Sequence, residues 1–120
     1  MAEIKNKKYG KTMFYIDDNE IKDKKHGKTL YYIDFPEIKE KSRSGKVQFY
    51  IYGDEIIEKK RSGKILYHFN GKEVKEKGKY GNLKYYVDGS EIKDKKYGKI
   101  KYYIDAPITK EQLYALISII

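Results

Sequence analysis

The stretch Glu91–Asp105, E-I-K-D-K-K-Y-G-K-I-K-Y-Y-I-D, decides the fold because nearly the same letters recur six times along the chain. Each copy begins at a glutamate, and successive copies start 17 or 18 residues apart, at Glu3, Glu20, Glu37, Glu55, Glu73 and Glu91. A fixed period of this kind is typical of repeat architectures, in which each copy is one supersecondary unit. The chain is therefore expected to be an array of six similar units.

A glycine divides each copy into two short strands. It follows the glutamate by seven or eight residues, and the one-residue difference falls just before it. An extra residue inside a strand would turn its apolar side chains to the other face, whereas a loop absorbs it. The glycine therefore marks a turn, and we expect positive φ there, which β-branched residues resist. The six positions are Gly10, Gly27, Gly45, Gly63, Gly81 and Gly98.

The second strand of each copy carries apolar residues two, four and six positions past the glycine. Side chains alternate along a strand, so these columns are predicted to share one core-facing surface. Their β-branched and aromatic residues suit a half-buried sheet. The three columns are Thr12, Thr29, Val47, Ile65, Leu83 and Ile100; Phe14, Tyr31, Phe49, Tyr67, Tyr85 and Tyr102; and Ile16, Ile33, Ile51, Phe69, Val87 and Ile104. The column three past the glycine drifts from Met13 to Lys101, as a surface that need not stay dry can do.

Turn-forming residues separate the copies, so residues 3–105 are predicted to form six tandem β-hairpins, or about twelve short antiparallel strands. The connections are Asp18-Asn19, Phe35-Pro36, Gly53-Asp54, Gly71-Lys72 and Gly89-Ser90. The fold class is all-β, in a radial or closed array, and residues 1–120 form a single domain. A closed ring, a flat meander and petals around a central element all remain compatible with this pattern.

Residues 109–120 break the repeat and are predicted to form a short helix. Thr109 followed three residues later by Gln112 is a capping-box start. The rest is apolar nearly all round, and such helices are buried or dock on an apolar surface. The helix is expected to plug or cap the core of its own array. Helix–helix oligomerisation and docking on a membrane surface are the alternatives.

Composition excludes several classes of protein. Charged residues make up 38% and the formal net charge is +9, yet aromatic residues reach 15%, which disordered chains lack. There is no cysteine, so disulfides, thiolate catalysis and cysteine zinc sites are excluded. The N-terminal residues contain no apolar segment like that of a secretory signal, and no run approaches the ~18 apolar residues of a membrane span. A cytoplasmic location without a membrane span is therefore expected.

The pattern I-K-D-K-x-x-G-K-x-x-Y-Y-I-D, in tandem and followed by a short apolar helix, resembles that of bacterial beta-flower proteins. The resemblance covers residues 3–105. It implies short hairpins repeated around a central axis, although this chain has six copies where the group is associated with four. The group brings no well-defined activity, so the resemblance implies a fold alone.

No constellation of catalytic residues is present, and the protein is not expected to be an enzyme. His26 and His68 each replace a tyrosine found in other copies, which reads as a point substitution in a repeat. No phosphate-binding glycine loop, serine nucleophile elbow or H-E-x-x-H motif occurs. No cofactor or metal ligand set is predicted. The carboxylates stand in repeated columns beside lysines, where cross-strand pairing explains them.

The remaining candidate site is a face of lysine and tyrosine. Lysines can follow phosphates while bases stack on aromatic rings, although sparse arginines argue against bidentate phosphate recognition. The predicted ligand-binding residues are Tyr15, Tyr32, Tyr50, His68, Tyr86, Tyr103, Lys11, Lys28, Lys46, Lys64 and Lys99. The first functional hypothesis is a non-catalytic binder, or sequestering protein, for nucleic acid or a small nucleotide. The alternatives are a structural or interaction module that assembles into a homo-oligomer through its ring or helix, and a surface that is merely solvated.

Overall fold

The computed structural model describes all 120 residues and contains one closed antiparallel barrel of twelve strands. Each strand pairs with its neighbours in sequence, and β12 pairs back onto β1, so no strand edge is left free. The elements are β1 (Ala2–Lys5), β2 (Thr12–Asp17), β3 (Glu20–Lys22), β4 (Thr29–Asp34), β5 (Glu37–Glu40), β6 (Val47–Tyr52), β7 (Glu55–Glu58), β8 (Ile65–Phe69), β9 (Glu73–Glu76), β10 (Leu83–Asp88), β11 (Glu91–Lys93), β12 (Ile100–Ile104) and α1 (Lys110–Ile119).

The predicted all-β array of six hairpins with a C-terminal helix is confirmed, and the arrangement adopted is the closed ring. The molecule is a flat disc with extents of 40 × 34 × 17 Å. Because the strands run up and down in turn, the barrel has two distinct ends. We call the "loop end" the one formed by the six hairpin loops, residues 6–11, 23–28, 41–46, 59–64, 77–82 and 94–99. The "turn end" holds the short connections between copies.

A β-bulge in the second strand of every hairpin changes which residues face inward. In the first copy Ile4 pairs with Phe14 but Lys5 pairs with Thr12, so Met13 is the extra residue. Two residues then oppose one, and the alternation of faces is reset at that point. The extra residues are those of the drifting column: Met13, Leu30, Gln48, Leu66, Lys84 and Lys101.

The bulge shows that the predicted core face is wrong for the column two past the glycine. Thr12 lies on the outer wall, where its Oγ1 donates to Oε1 of Glu3 at 2.6 Å. Its counterpart Leu83 is exposed for the same reason. An uninterrupted period of two would have carried these side chains inward, so the error comes from applying strict alternation across an irregular strand.

The core is built from apolar pairs at the junctions between neighbouring copies. One member follows each copy's glutamate, and the other lies six past the preceding glycine. All twelve side chains are buried, and the pairs are Ile16–Ile21, Ile33–Ile38, Ile51–Ile56, Phe69–Val74, Val87–Ile92 and Ile104–Ile4. The last pair joins the sixth copy to the first and completes the ring.

Helix α1 fills the barrel. Thr109 and Gln112 form the predicted capping box, with the Gln112 backbone N–H donating to Thr109 Oγ1 at 3.1 Å. Tyr114, Ala115, Leu116, Ile117 and Ser118 are buried, and the first four belong to the same cluster as the strand pairs. The predicted plug is therefore confirmed. No helix in the structure has the length and apolar character needed to cross a membrane.

Two polar contacts orient the helix along the barrel. At the turn end Gln112 Nε2 donates to the carbonyl of Asp18, and the Tyr114 hydroxyl donates to the carbonyl of Phe69. At the loop end Ile119 lines a pocket with Phe14 and Leu30. The helix therefore begins at the turn end and ends at the loop end.

The prediction of positive φ at the loop glycines is wrong, because none of the six has a positive φ. These glycines are required for space instead. Positive φ occurs instead at glycines of the turn end, such as Gly53 at 61°. At Gly63 an added Cβ would collide with the backbone carbonyl of Glu58. The three longer copies keep a loop of six residues and instead have a first strand one residue longer, such as Glu37–Glu40 against Glu20–Lys22, so the prediction that the loop absorbs the extra residue is wrong. In these copies the loop begins with a lysine at positive φ: Lys41, Lys59 and Lys77.

Candidate binding surface

The predicted tyrosine column lies on the outer wall, midway along the strands. Each member stands between a glutamate of one neighbouring strand and, in most copies, a lysine of the other; Tyr32, for example, pairs with Glu20 and Lys39. Tyr15 is 5% exposed, and the other members are half-buried. The column consists of Tyr15, Tyr32, Tyr50, His68, Tyr86 and Tyr103. Rings packed in this way present edges to a ligand and little open face.

The lysines of the wall are occupied by carboxylates. Lys39 Nζ lies 2.8 Å from Asp34 Oδ2 and 3.6 Å from Glu37 Oε1. The hydrogen bond and the charge of Lys39 lower the pKa of Asp34, and the hydrogen bond that Lys39 donates to Asp34 is the largest of the contributions that raise the pKa of Lys39. Lys22 and Lys93 bridge two carboxylates in the same way, with Nζ–O distances of 3.4–3.8 Å. The wall is thus internally neutralised, as the cross-strand explanation predicted.

At the junction of the third and fourth copies, less charged residues replace this cluster of ion pairs. Ile57 stands where the other copies have lysine, and Tyr52 stands in the column of Asp34. Arg61 from the hairpin loop of the fourth copy lies over Tyr52, with its guanidinium carbon 4.2 Å from the Tyr52 ring centroid and Nη2 donating to the Tyr52 hydroxyl at 2.8 Å. The wall therefore varies in chemistry, but its polar and charged side chains are paired within the chain at each of these positions.

The predicted lysine column lies at the loop end, away from the wall tyrosines. Lys11, Lys28, Lys46, Lys64 and Lys99 are all exposed, each directly after a loop glycine. Four residues of strand, about 13 Å, separate each lysine from the tyrosine of its copy. The structure therefore does not bring the two predicted columns together into one site.

Basic residues are strongly concentrated at the loop end. The six hairpin loops hold 18 of the 27 Lys and Arg residues and, in Asp23 and Asp94, two of the 18 Asp and Glu residues. The loop end therefore carries an excess of sixteen positive charges. The rest of the chain has nine basic and sixteen acidic residues, an excess of seven negative charges. A net charge of +9 thus conceals a molecule with one strongly basic end.

Three tyrosines at the loop tips were missed as candidate residues. Tyr9, Tyr80 and Tyr97 are 89%, 93% and 89% exposed, the most exposed of the large apolar side chains. Each follows a lysine whose Nζ lies 5.5–5.9 Å from the ring centroid. The sequence signal was the tripeptide K-Y-G in copies one, five and six. We refer to these three residues as the loop-tip tyrosines.

Six aromatic side chains, one from each hairpin, form a circle around the end of the helix at the centre of the loop end. The residues four past each glycine pack against the core while remaining partly exposed: Phe14, Tyr31, Phe49, Tyr67, Tyr85 and Tyr102. Burial raises the pKa of Tyr85 to about 12. Lys84 Nζ donates to the Tyr67 hydroxyl at 2.8 Å and lies over the Tyr67 and Tyr85 rings. A shallow pocket of about 410 Å³ opens beside Phe14 and Ile119.

The turn end has fewer features that could bind a charged ligand. A pocket of about 390 Å³ is lined by Phe35, Tyr52, Lys110 and Tyr114, and the first two are about half exposed. No group of three or more His, Asp or Glu side chains lies close enough together to hold a metal ion. The loop end is therefore the surface with the most distinctive chemistry.

Fold and surface together define a class: a closed barrel of six β-hairpins, plugged by a helix, with a basic aromatic end. Comparison with family models, with curated proteins and with solved structures finds no match for this chain. Any function must therefore be argued from its own residues.

Proposed function

We propose that the protein is a non-catalytic, cytoplasmic nucleic-acid-binding module, and that the loop end is its binding surface. The observation that supports this most directly is the segregation of charge: eighteen basic residues share one end with two acidic ones. Lys11, Lys28, Lys46, Lys64 and Lys99 belong to this surface. The wall tyrosines are assigned a supporting role, since they are half-buried between paired charges.

An extended polyanion suits this surface better than a small nucleotide. The lysines are spread over six loops of a disc 40 × 34 Å across, and they do not converge on one deep pocket. Each phosphate contacted by a lysine releases counterions, so affinity for a polyanion grows with the number of contacts and falls steeply with salt. Lysine also acts as a point charge without the fixed fork of arginine, which favours binding to backbone phosphates over recognition of particular bases.

The proposal is tested by the salt dependence of binding to a fluorescently labelled oligonucleotide. Fluorescence anisotropy should give a linear fall of log K with log salt concentration, with a slope that reports the number of phosphates contacted. Lys8→Gln with Lys96→Gln, at the loop end, should weaken binding and reduce that slope. Lys72→Gln with Lys110→Gln removes the same charge from exposed positions at the turn end and should leave both unchanged.

An affinity independent of salt, or equal losses from the two double variants, would refute the assignment of the loop end. Binding of a mononucleotide as tight as that of the oligonucleotide would favour the small-nucleotide version, in which the protein sequesters its ligand.

A structural or protein-interaction module is the second candidate, and exposed aromatic residues at the turn end favour it. Phe35 and Tyr52 are 50% and 49% exposed and flank an apolar pocket. Such a pair can anchor a protein contact. Light scattering should then give a mass above 14.3 kDa for the parent and a lower one for Phe35→Ser. A monomeric parent would remove self-assembly from consideration.

We also propose that the chain is a six-copy relative of the beta-flower proteins. The motif resemblance and the arrangement of hairpins around a central helix support this assignment. Since that resemblance carries no activity, the functional proposal does not depend on it.

A further inference from the structure

We propose that the loop-tip tyrosines stack unpaired bases, so that the nucleic acid bound at the loop end is single-stranded. This inference rests on the proposed function. It specifies which form of nucleic acid is bound. Charge alone does not define that form, because a basic surface attracts duplex and single strand alike.

The first observation is the exposure of the three rings. Tyr9, Tyr80 and Tyr97 are 89–93% exposed, whereas Tyr15 of the wall is 5% exposed. A ring held away from the protein in this way is accessible to a ligand. Stacking on such rings tolerates any base, since every base has a π-face.

The second observation is the position of the three loops around the ring. β1 pairs with β12, and β10 pairs with β11, so the loops of copies five, six and one are consecutive. Neighbouring loops are two strands apart, about 10 Å at the sheet. The three rings therefore form one continuous arc, which an extended strand can follow. The sequence separates Tyr9 from Tyr80 and Tyr97, and barrel closure places the first and sixth copies side by side.

The third observation is the charge beside each ring. Lys8, Lys79 and Lys96 immediately precede the loop-tip tyrosines, and their Nζ atoms lie within 5.9 Å of the ring centroids. An extended strand presents a phosphate beside each base, so alternating lysine and tyrosine matches its chemistry. The paired bases of a duplex are stacked on one another and offer no free face to a tyrosine.

The opposite half of the loop end is built differently. Copies three and four have serine before the loop glycine, at Ser44 and Ser62, and they contain both arginines of the chain. These arginines lie against wall tyrosines, with Arg43 at 6.0 Å from the Tyr32 ring centroid and Arg61 at 4.2 Å from that of Tyr52. The stacking arc of tyrosines is therefore confined to three copies; the second copy has the exposed His26 at the equivalent position, and copies three and four contribute charge without an exposed ring there.

The test compares three ligands by anisotropy or competition: a single-stranded oligothymidine of about 15 nucleotides, a duplex of the same length, and inorganic polyphosphate, which has charge but no bases. The triple variant Tyr9→Ala, Tyr80→Ala and Tyr97→Ala should lose about tenfold or more in affinity for the single strand. Its affinity for polyphosphate should equal that of the parent. The matching triple substitution to Phe keeps the rings and should bind the single strand like the parent.

Phe35→Ala serves as the control, because it removes an exposed ring from the turn end and should leave all three affinities unchanged. A parent that binds neither the oligothymidine nor polyphosphate refutes the proposed function, and this inference falls with it. A parent that binds both, with no loss in the alanine variant, refutes the stacking arc alone. Tighter binding of the duplex than of the single strand would also overturn it.

Discussion

Glu3 and Asp105 close the barrel through a reciprocal pair of hydrogen bonds. The Glu3 backbone N–H donates to Asp105 Oδ1 at 2.7 Å, and the Asp105 backbone N–H donates to the Glu3 carbonyl at 3.1 Å. The same side-chain contact occurs within the chain, where Asn70 Oδ1 accepts from the Glu73 N–H at 2.8 Å. The sixth copy thus contacts the first as the fourth contacts the fifth, without a covalent link between them.

Replacement of Asp105 by Ala should destabilise the barrel by about 1–2 kcal/mol, since the Glu3 N–H loses a charged acceptor at a partly solvated site. Asp105→Asn keeps an oxygen in place and should recover most of that loss. Asn70→Ala removes the equivalent in-chain contact and should cost less, because Gly71 and Lys72 still join the two strands. Urea unfolding measures all three. Equal stability of the Asp105→Ala variant and the parent would show that closure does not depend on this carboxylate.

Substitution of the loop glycines should reveal two different degrees of crowding. Gly63→Ala should cost about 1–3 kcal/mol, because the new Cβ meets the backbone carbonyl of Glu58 and the loop has to open. Gly98→Ala meets Oδ1 of Asp94, a side chain that can rotate away at the loss of its hydrogen bond from the Lys99 N–H. That loss is about 1 kcal/mol. Thermal unfolding that ranks Gly98→Ala as the more harmful variant would contradict this reading.

Shortening Leu116 should test the helix as the filling of the barrel. Leu116 is 0% exposed, and Leu116→Ala should cost about 2–5 kcal/mol because it leaves a cavity that the closed ring cannot collapse to fill. Leu113 belongs to the same helix but is only partly buried, so Leu113→Ala should cost less. Denaturant midpoints of the two variants give the comparison. Equal, small shifts would mean that the strands hold together without the helix.

Stability should fall at high pH because of two tyrosines. Burial raises the pKa of Tyr85 and of Tyr114 to about 12, against a reference value of 10.0. Below pH 10 the hydroxyls are protonated in both states and this contribution to stability is complete. Between about pH 10 and 12 the unfolded chain ionises while the folded one does not, so stability declines.

Tyr85→Phe should show a shallower decline over that interval than the parent, and melting temperatures from pH 8 to 12 measure it. Tyr97→Phe, at an exposed loop tip, controls for the loss of a hydroxyl. Parallel profiles for the parent and Tyr85→Phe would show that burial of this hydroxyl does not contribute to the pH dependence.

Local pattern was sufficient for the elements themselves. The recurrence of glutamate, glycine and the Y-Y-I-D segment predicted six hairpins, because the two strands of each hairpin are joined by a loop of only six residues. Thr109 and Gln112 likewise predicted the start of the helix, since a capping box is complete within four residues. The column six past the glycine, which supplies one member of each buried pair, was predicted from its repeated apolar residue.

The bulge could not be predicted from a period of two. Met13 and Lys101 occupy the same irregular position, yet one is apolar and the other charged. The position is recognised only when the partner strand is in place and Lys5 is found opposite Thr12.

The sequence by itself determined the hairpins, one apolar column of the core and the helix that fills the barrel, because these depend on contacts between residues close in the chain or on a repeated apolar column. Tertiary structure alone decided that the ring closes, that the loops of Tyr9 and Tyr97 are neighbours, and that the basic hairpin loops gather at one end. The physical reason is topological. Antiparallel strands joined in order deliver every hairpin loop to the same end, and closure makes neighbours of copies that the chain holds farthest apart.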